Sequence, residues 1–220
     1  MIIDTTHPAY QELRNALPFG KNNGAYFYSQ EIVKNIIPNV RTDRHWNTLG
    51  NQGLGSFDHA IVFIHHNIDH DRHYAWLKDY KDQVLVCSVP QTYRWALRHG
   101  KAIFLPLSID VGYVKQFATE KTKDACYAGN KWRFKMRDIV RYVPLGVDFP
   151  PDDLEREDLL RFMAPYRRVY AIGRTALEAK VLGAKIEVVD RRYPHTDYWE
   201  VLDNRKAAEI LQEELDKIDK

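Results

Sequence analysis

One segment combines residue types that can hold an anion. It runs Val169-Tyr170-Ala171-Ile172-Gly173-Arg174-Thr175-Ala176-Leu177-Glu178-Ala179, with a second glycine at Gly183. An apolar, strand-like run enters a glycine turn, a helix begins there, and the first N–H groups of a helix have no partner within it. Such ends attract anions through those donors and the macrodipole, so a phosphate or diphosphate fits at Gly173 to Thr175. Arg174 adds a charge-assisted bond, and Glu178 is near enough to accept hydrogen bonds from a ribose diol. The same residues also suit an ordinary strand, turn and helix with Glu178 exposed.

A second dense group is Phe63-Ile64-His65-His66-Asn67-Ile68-Asp69-His70-Asp71-Arg72-His73, where four of the nine histidines of the chain fall together. It follows an apolar strand-like run directly, and the carboxyl end of a strand in an α/β sheet faces a ligand cleft. Neutral imidazole suits zinc, which needs three or four well-aimed ligands. Three readings stay open: a metal site on His65 to His73, a metal-independent catalytic or acceptor-orienting group supplied by His66 and Asp69, and a plain polar loop. A third group is the basic run from Lys121 to Arg141, with seven Lys and Arg against two Asp. It is either a solvated face or an anion contact made by Lys131 and Arg133.

These groups need a scaffold. Short apolar, β-branched runs alternate with segments of helical spacing, which predicts an α/β fold, with parallel sheets. Strands are expected at Met1 to Ile3, Ala60 to Ile64, Val84 to Val89, Ala102 to Leu107, Ala125 to Ala128, Asp138 to Val143, Val169 to Ile172 and Ile186 to Val189. Helices are expected at Tyr26 to Ile37, stopped by Pro38, at Tyr93 to Leu97, at Asp152 to Met163 with Asp152 or Asp153 as cap, at Thr175 to Leu182, and at Ala207 to Ile218 with Asp203 or Asn204 as cap. The boundary falls after Leu107, where Ser108 to Gly112 reads as a turn, giving domains 1–107 and 108–220.

Composition narrows the class. The 220 residues are 45% hydrophobic and 28% charged, with a net charge of +2, so no global field calls for nucleic acid or a membrane surface. No stretch approaches the ~20 consecutive apolar residues of a membrane span. Cys87 and Cys126 lie in apolar runs without metal-site spacing, which reads as core thiols, and the opening residues lack a signal-peptide pattern, so a reducing cytoplasm is expected.

Gly173, Thr175, Glu178-Ala179 and Gly183 resemble the glycine, small residue, Glu-Ala and glycine pattern in the second domain of GT-B-fold glycosyltransferases. Leu105-Pro106-Leu107-Ser108-Ile109-Asp110 is similar to the Pro-Asn-Gly-Val-Asp stretch that enters that domain, Tyr127-Ala128-Gly129-Asn130 to its first strand end, and Gly20 to Gly24 to the N-terminal glycine loop. The resemblance implies two Rossmann-like domains with a central cleft, with the last helix crossing back to the first domain. It also implies a nucleotide-diphosphate sugar as co-substrate and no bound metal or other cofactor. The donor would be held by Gly24, Lys131, Arg133, Gly173, Arg174, Thr175 and Glu178, the last gripping the ribose. The acceptor, whether glycan, lipid, protein or modified nucleic-acid base, would meet His66 and Asp69.

Two positions depart from the family. Tyr170 stands where many retaining members carry a Glu that holds the donor sugar, and Asn130 stands where a diphosphate-binding Arg is common. Two other functions remain in view. His65, Asn67, Asp69 and His70 are similar to the zinc motif of metallo-β-lactamase-like hydrolases, with Asn67 replacing one ligand. A nucleotide-sugar-binding module without turnover would be compatible with Tyr170.

Overall fold

In the computed structural model the described residues are 31–47, 58–64, 82–128, 143–151, 154–187 and 200–220. They build a mixed α/β protein whose sheets are all parallel. The chain divides into two compact units. The first contains 31–47, 58–64, 82–107 and the final helix from Asn204, and the second contains 108–128, 143–151, 154–187 and 200–203.

The first unit is organised on a sheet in the order β1-β2-β3-β4, comprising His45–Asn47, Ala60–Ile64, Val84–Cys87 and Lys101–Phe104. Every residue of β2 and β3 is buried, which explains their unbroken apolar sequence: a central parallel strand is covered on both faces. On one face Ala60, Val62, Ile64, Leu85 and Cys87 pack with Trp95 and Ala96 of helix α1, Pro90–Ala96. Alternate residues Ile61, Phe63, Val84 and Val86 are buried on the other face, where Trp46 of β1 stacks on Phe63 with ring centroids 6.1 Å apart.

The expected helix over Tyr26 to Ile37 is present, among the described residues, as a wide π-helical turn, Ile32–Ile36, that tightens into a 3-10 turn, Ile37–Asn39. Pro38 lies inside the tighter turn. Because proline has no N–H to donate, the regular ladder cannot continue through it, and the helix changes pitch there.

In the second unit a three-stranded sheet runs β6-β7-β8, comprising Lys123–Tyr127, Tyr166–Tyr170 and Lys185–Glu187. A separate parallel pair joins β5, Ser108–Ile109, to β9, Leu202–Asp203. Helix α2 spans Val111–Lys115, α3 spans Arg156–Met163 and α4 spans Gly173–Val181. The stretch expected to be a turn at Ser108 to Gly112 is instead a two-residue strand followed directly by α2. Asp110 makes that start possible, since its Oδ1 accepts the Tyr113 N–H at 2.8 Å. Helix α4 ends in a Schellman arrangement: Ala184 donates to Ala179 O and Gly183 to Lys180 O, each at 2.9 Å, with Gly183 at φ +84°.

The last helix, α5, covers Asn204–Ile218 and buries Ala207, Ala208, Leu211 and Leu215 along one stripe. It packs against the 32–39 turns and β4. Its amino end is fixed by Asn204, whose Nδ2 donates to the buried Glu31 carboxylate. Further along, Gln212 pairs both ways with the Arg41 backbone, accepting its N–H at 2.6 Å and donating to its carbonyl at 3.2 Å.

Several strand limits shift. β7 is Tyr166–Tyr170 rather than Val169 to Ile172, and Ile172 is the extended residue that introduces α4. The run expected as one strand from Ala102 to Leu107 ends at Phe104, and β3 ends at Cys87. The expected strand at Met1 to Ile3 lies outside the described residues, as does the expected strand at Asp138 to Val143 apart from Val143 itself, and α3 begins at Arg156 with Glu155 in the capping position instead of Asp152 or Asp153. Cys87 and Cys126 are fully buried free thiols, both pushed up to about 12 by burial. Among the described residues no helix is long and apolar enough to cross a membrane.

Candidate functional site

The glycine corner stands at the carboxyl end of β7. Ala128 N–H bonds Tyr170 O at 3.0 Å and Ala171 N–H bonds Glu187 O at 3.2 Å, so the sheet holds the chain up to Ala171. Ile172 is extended, and Gly173 then takes φ +61°, a left-handed turn that an L side chain resists. Among the described residues a Cβ built on Gly173 would meet nothing within 4 Å, so they leave the backbone open on that side. The residue in the capping position, Ile172, has no side-chain acceptor to cap the helix that starts there. Gly173 and Thr175 are half-buried, whereas Arg174 and Glu178 are buried.

Glu178 does not lie on the helix surface. Its Oε1 accepts from Arg174 Nε at 3.0 Å and from Arg156 Nε at 3.1 Å, and only 4% of its side chain is exposed. The i, i+4 spacing on α4 brings Arg174 onto the carboxylate. Arg156 comes from the first turn of α3, and its guanidinium lies over the Tyr113 ring, 5.0 Å from the centroid. The Tyr113 hydroxyl donates to Glu157 Oε1 at 2.9 Å. α2, α3 and α4 thus converge on one charged cluster just behind the open corner. Chemically, one carboxylate bridges and orients two guanidiniums.

Arg156 gave no signal in the sequence: only the structure makes it the first residue of α3, which brings its guanidinium to Glu178. Tyr113 gave no signal beyond its aromatic type.

Beside the corner, Tyr127 and Tyr170 are direct neighbours across β6 and β7. Both are buried with Ala125 and Val143, and Val147 and Ile172 pack against them. Burial pushes the Tyr127 phenol up to about 12, and its hydroxyl has no hydrogen-bond partner among the described residues. Tyr170 is therefore part of an apolar cluster.

Of the expected site residues, the structure brings together Gly173, Arg174, Thr175 and Glu178. Gly24, His66, Asp69, Lys131 and Arg133 lie outside the described residues, as does the whole His65 to His73 loop. Among the described residues no group of three or more His, Cys, Asp or Glu is arranged to hold a metal ion. Compared with protein-family models, curated proteins and solved structures, the chain matches none of them.

Proposed function

We propose that this protein is a glycosyltransferase that moves a sugar from a nucleotide-diphosphate donor to an acceptor. The donor diphosphate would sit over the Gly173 corner. The observation that carries the reading is the left-handed Gly173 at the end of a parallel strand, open among the described residues, where a helix without a capping side chain at Ile172 begins within the Gly-Arg-Thr-Ala-Leu-Glu-Ala sequence. The proposal entails the GT-B organisation of two Rossmann-like domains, and the acceptor remains a glycan, lipid, protein or modified nucleic-acid base.

In this chemistry the bond from the sugar's anomeric carbon to the diphosphate oxygen breaks, and the leaving diphosphate keeps the electron pair. N–H groups from Gly173 to Thr175 would stabilise that charge, assisted by Lys131 and Arg133. The acceptor hydroxyl attacks the anomeric carbon and gives its proton to His66 or Asp69. Glu178 would meet the ribose while keeping Arg174 and Arg156 in place.

The burial of Tyr170 favours a second reading, a nucleotide-sugar-binding module without turnover, because an apolar neighbour replaces the sugar-holding acid. Incubation with a panel of nucleotide sugars and acceptors, followed by mass spectrometry, separates the two. Sugar transfer or donor hydrolysis supports the transferase. Donor binding without product supports the module, and absence of binding overturns both.

A further inference from the structure

The four parallel strands of the first unit start at His45, Ala60, Val84 and Lys101, and charged residues at or just before these starts meet at one point. Asp82 is the hub. Its Oδ1 accepts from Lys101 Nζ at 2.8 Å, and its Oδ2 faces His59 Nδ1 at 2.7 Å and Arg44 Nη1 at 3.3 Å. The other ring nitrogen of His59, Nε2, lies 3.1 Å from Asp43 Oδ1. Arg44, itself buried, also donates to the Asp82 carbonyl and reaches Asp219, just past the last helix, at 2.6 Å.

His59 and Asp82 both have left-handed backbones, at φ 56° and 53°. Residues with a Cβ are uncommon there, and contacts to their surroundings help to hold them. One of the contacts that hold this pair runs through the imidazole. A neutral imidazole has one N–H and can donate to one carboxylate, leaving a lone pair against the other, whereas an imidazolium donates to both.

We infer that His59 is a proton-operated clamp: as imidazolium it ties the starts of β1, β2 and β3 together through Asp43 and Asp82, and as neutral imidazole it releases Asp43. Asp43 is the joint that opens because Asp82 keeps Lys101 and Arg44 as partners, whereas among the described residues His59 is the side chain hydrogen-bonded to Asp43. The carboxylates of Asp82 and Asp43 favour the proton. Arg44 opposes it and is itself balanced by Asp219, and Lys101 reaches the imidazole only through Asp82. Asp58 precedes His59 along the chain, and the His45 N–H bonds the His59 carbonyl at 3.0 Å.

The hydrogen bond to Asp82, and then that to Asp43, raise His59 above its ordinary value of 6.5. A group raised on folding stabilises fully below its unfolded value, and that contribution is lost as pH rises through the folded value. The clamp is therefore closed in mild acid and opens on the alkaline side of 6.5.

Nitrogen-15 NMR of the intact protein, with His59 assigned from its backbone resonances, reads the switch directly. The expected titration midpoint lies above 6.5, and D43N lowers it. Denaturant midpoints followed from about pH 5 to about pH 9 should fall more for the wild type than for H59N, since the other histidines titrate in both proteins while the introduced asparagine tolerates the left-handed backbone and does not titrate. A His59 midpoint at or below 6.5, or parallel wild-type and H59N curves, overturns the inference. The NMR arm does not depend on H59N folding.

Discussion

Glu178 receives Arg156 from 22 residues earlier in the chain, Nε to Oε1 at 3.1 Å, and in doing so fastens the amino end of α3 to α4. Arg174 shares the same oxygen, so the acid beside the glycine corner holds the local structure as well as standing beside the proposed ligand.

Removing that acid should therefore cost stability even without nucleotide. Glu178→Ala leaves two guanidiniums facing a vacated site, and breaking a buried pair in this way typically costs about 3 to 5 kcal/mol. Glu178→Gln keeps an acceptor and should lose less. Urea denaturation of the three proteins checks the order; equal stability for wild type and Glu178→Ala would show that the carboxylate carries none of this load.

Two glycines allow backbone strain to be separated from ligand contact. Gly173 and Gly146 have φ of +61° and +85°, and among the described residues neither would meet an atom within 4 Å if given a Cβ. Each substitution to Ala should destabilise by about 1 kcal/mol, the cost of a left-handed L residue. Thermal melts of Gly173→Ala and Gly146→Ala are expected to fall together. A much larger loss at Gly173 would mean that the corner is filled.

Tyr127 buries a hydroxyl that finds no partner among the described residues. Tyr127→Phe removes a desolvated polar group without changing the packing of the ring, so the variant should gain up to about 1 kcal/mol. Clear destabilisation in a denaturant titration would reveal a hydrogen bond that this tyrosine depends on.

Cys87 and Cys126 are both held near 12 by burial. The thiolate is the reactive form, so at about pH 8 neither should react with a disulfide reagent until the protein unfolds. Reaction of either thiol in the native protein would contradict their placement in the core.

Some of this architecture was legible in the sequence and some was not. β2 matches its sequence reading residue for residue, because a central strand buried on both faces leaves an unbroken apolar run. β1 went unread, since His45-Trp46-Asn47 has no periodicity and is a strand only through its pairing with Ala60 to Val62. β7 was displaced because Arg167 and Arg168 interrupt its apolar pattern; Arg168 turns outward and pairs with Asp124 at 2.6 Å. At the site, the glycine turn and helix start were visible as local features. The inward turn of Glu178 was not, because its second partner, Arg156, belongs to another helix.

The central claim is that a nucleoside diphosphate binds at the Gly173 corner, and calorimetric titration of uridine, guanosine and adenosine diphosphates tests it most directly. The account predicts that at least one of them binds the wild type. Gly173→Ala should weaken that binding by about tenfold or more, equivalent to about 1.4 kcal/mol, and Gly146→Ala should leave it unchanged. Binding of none of the three, or equal affinity in wild type and Gly173→Ala, would contradict it.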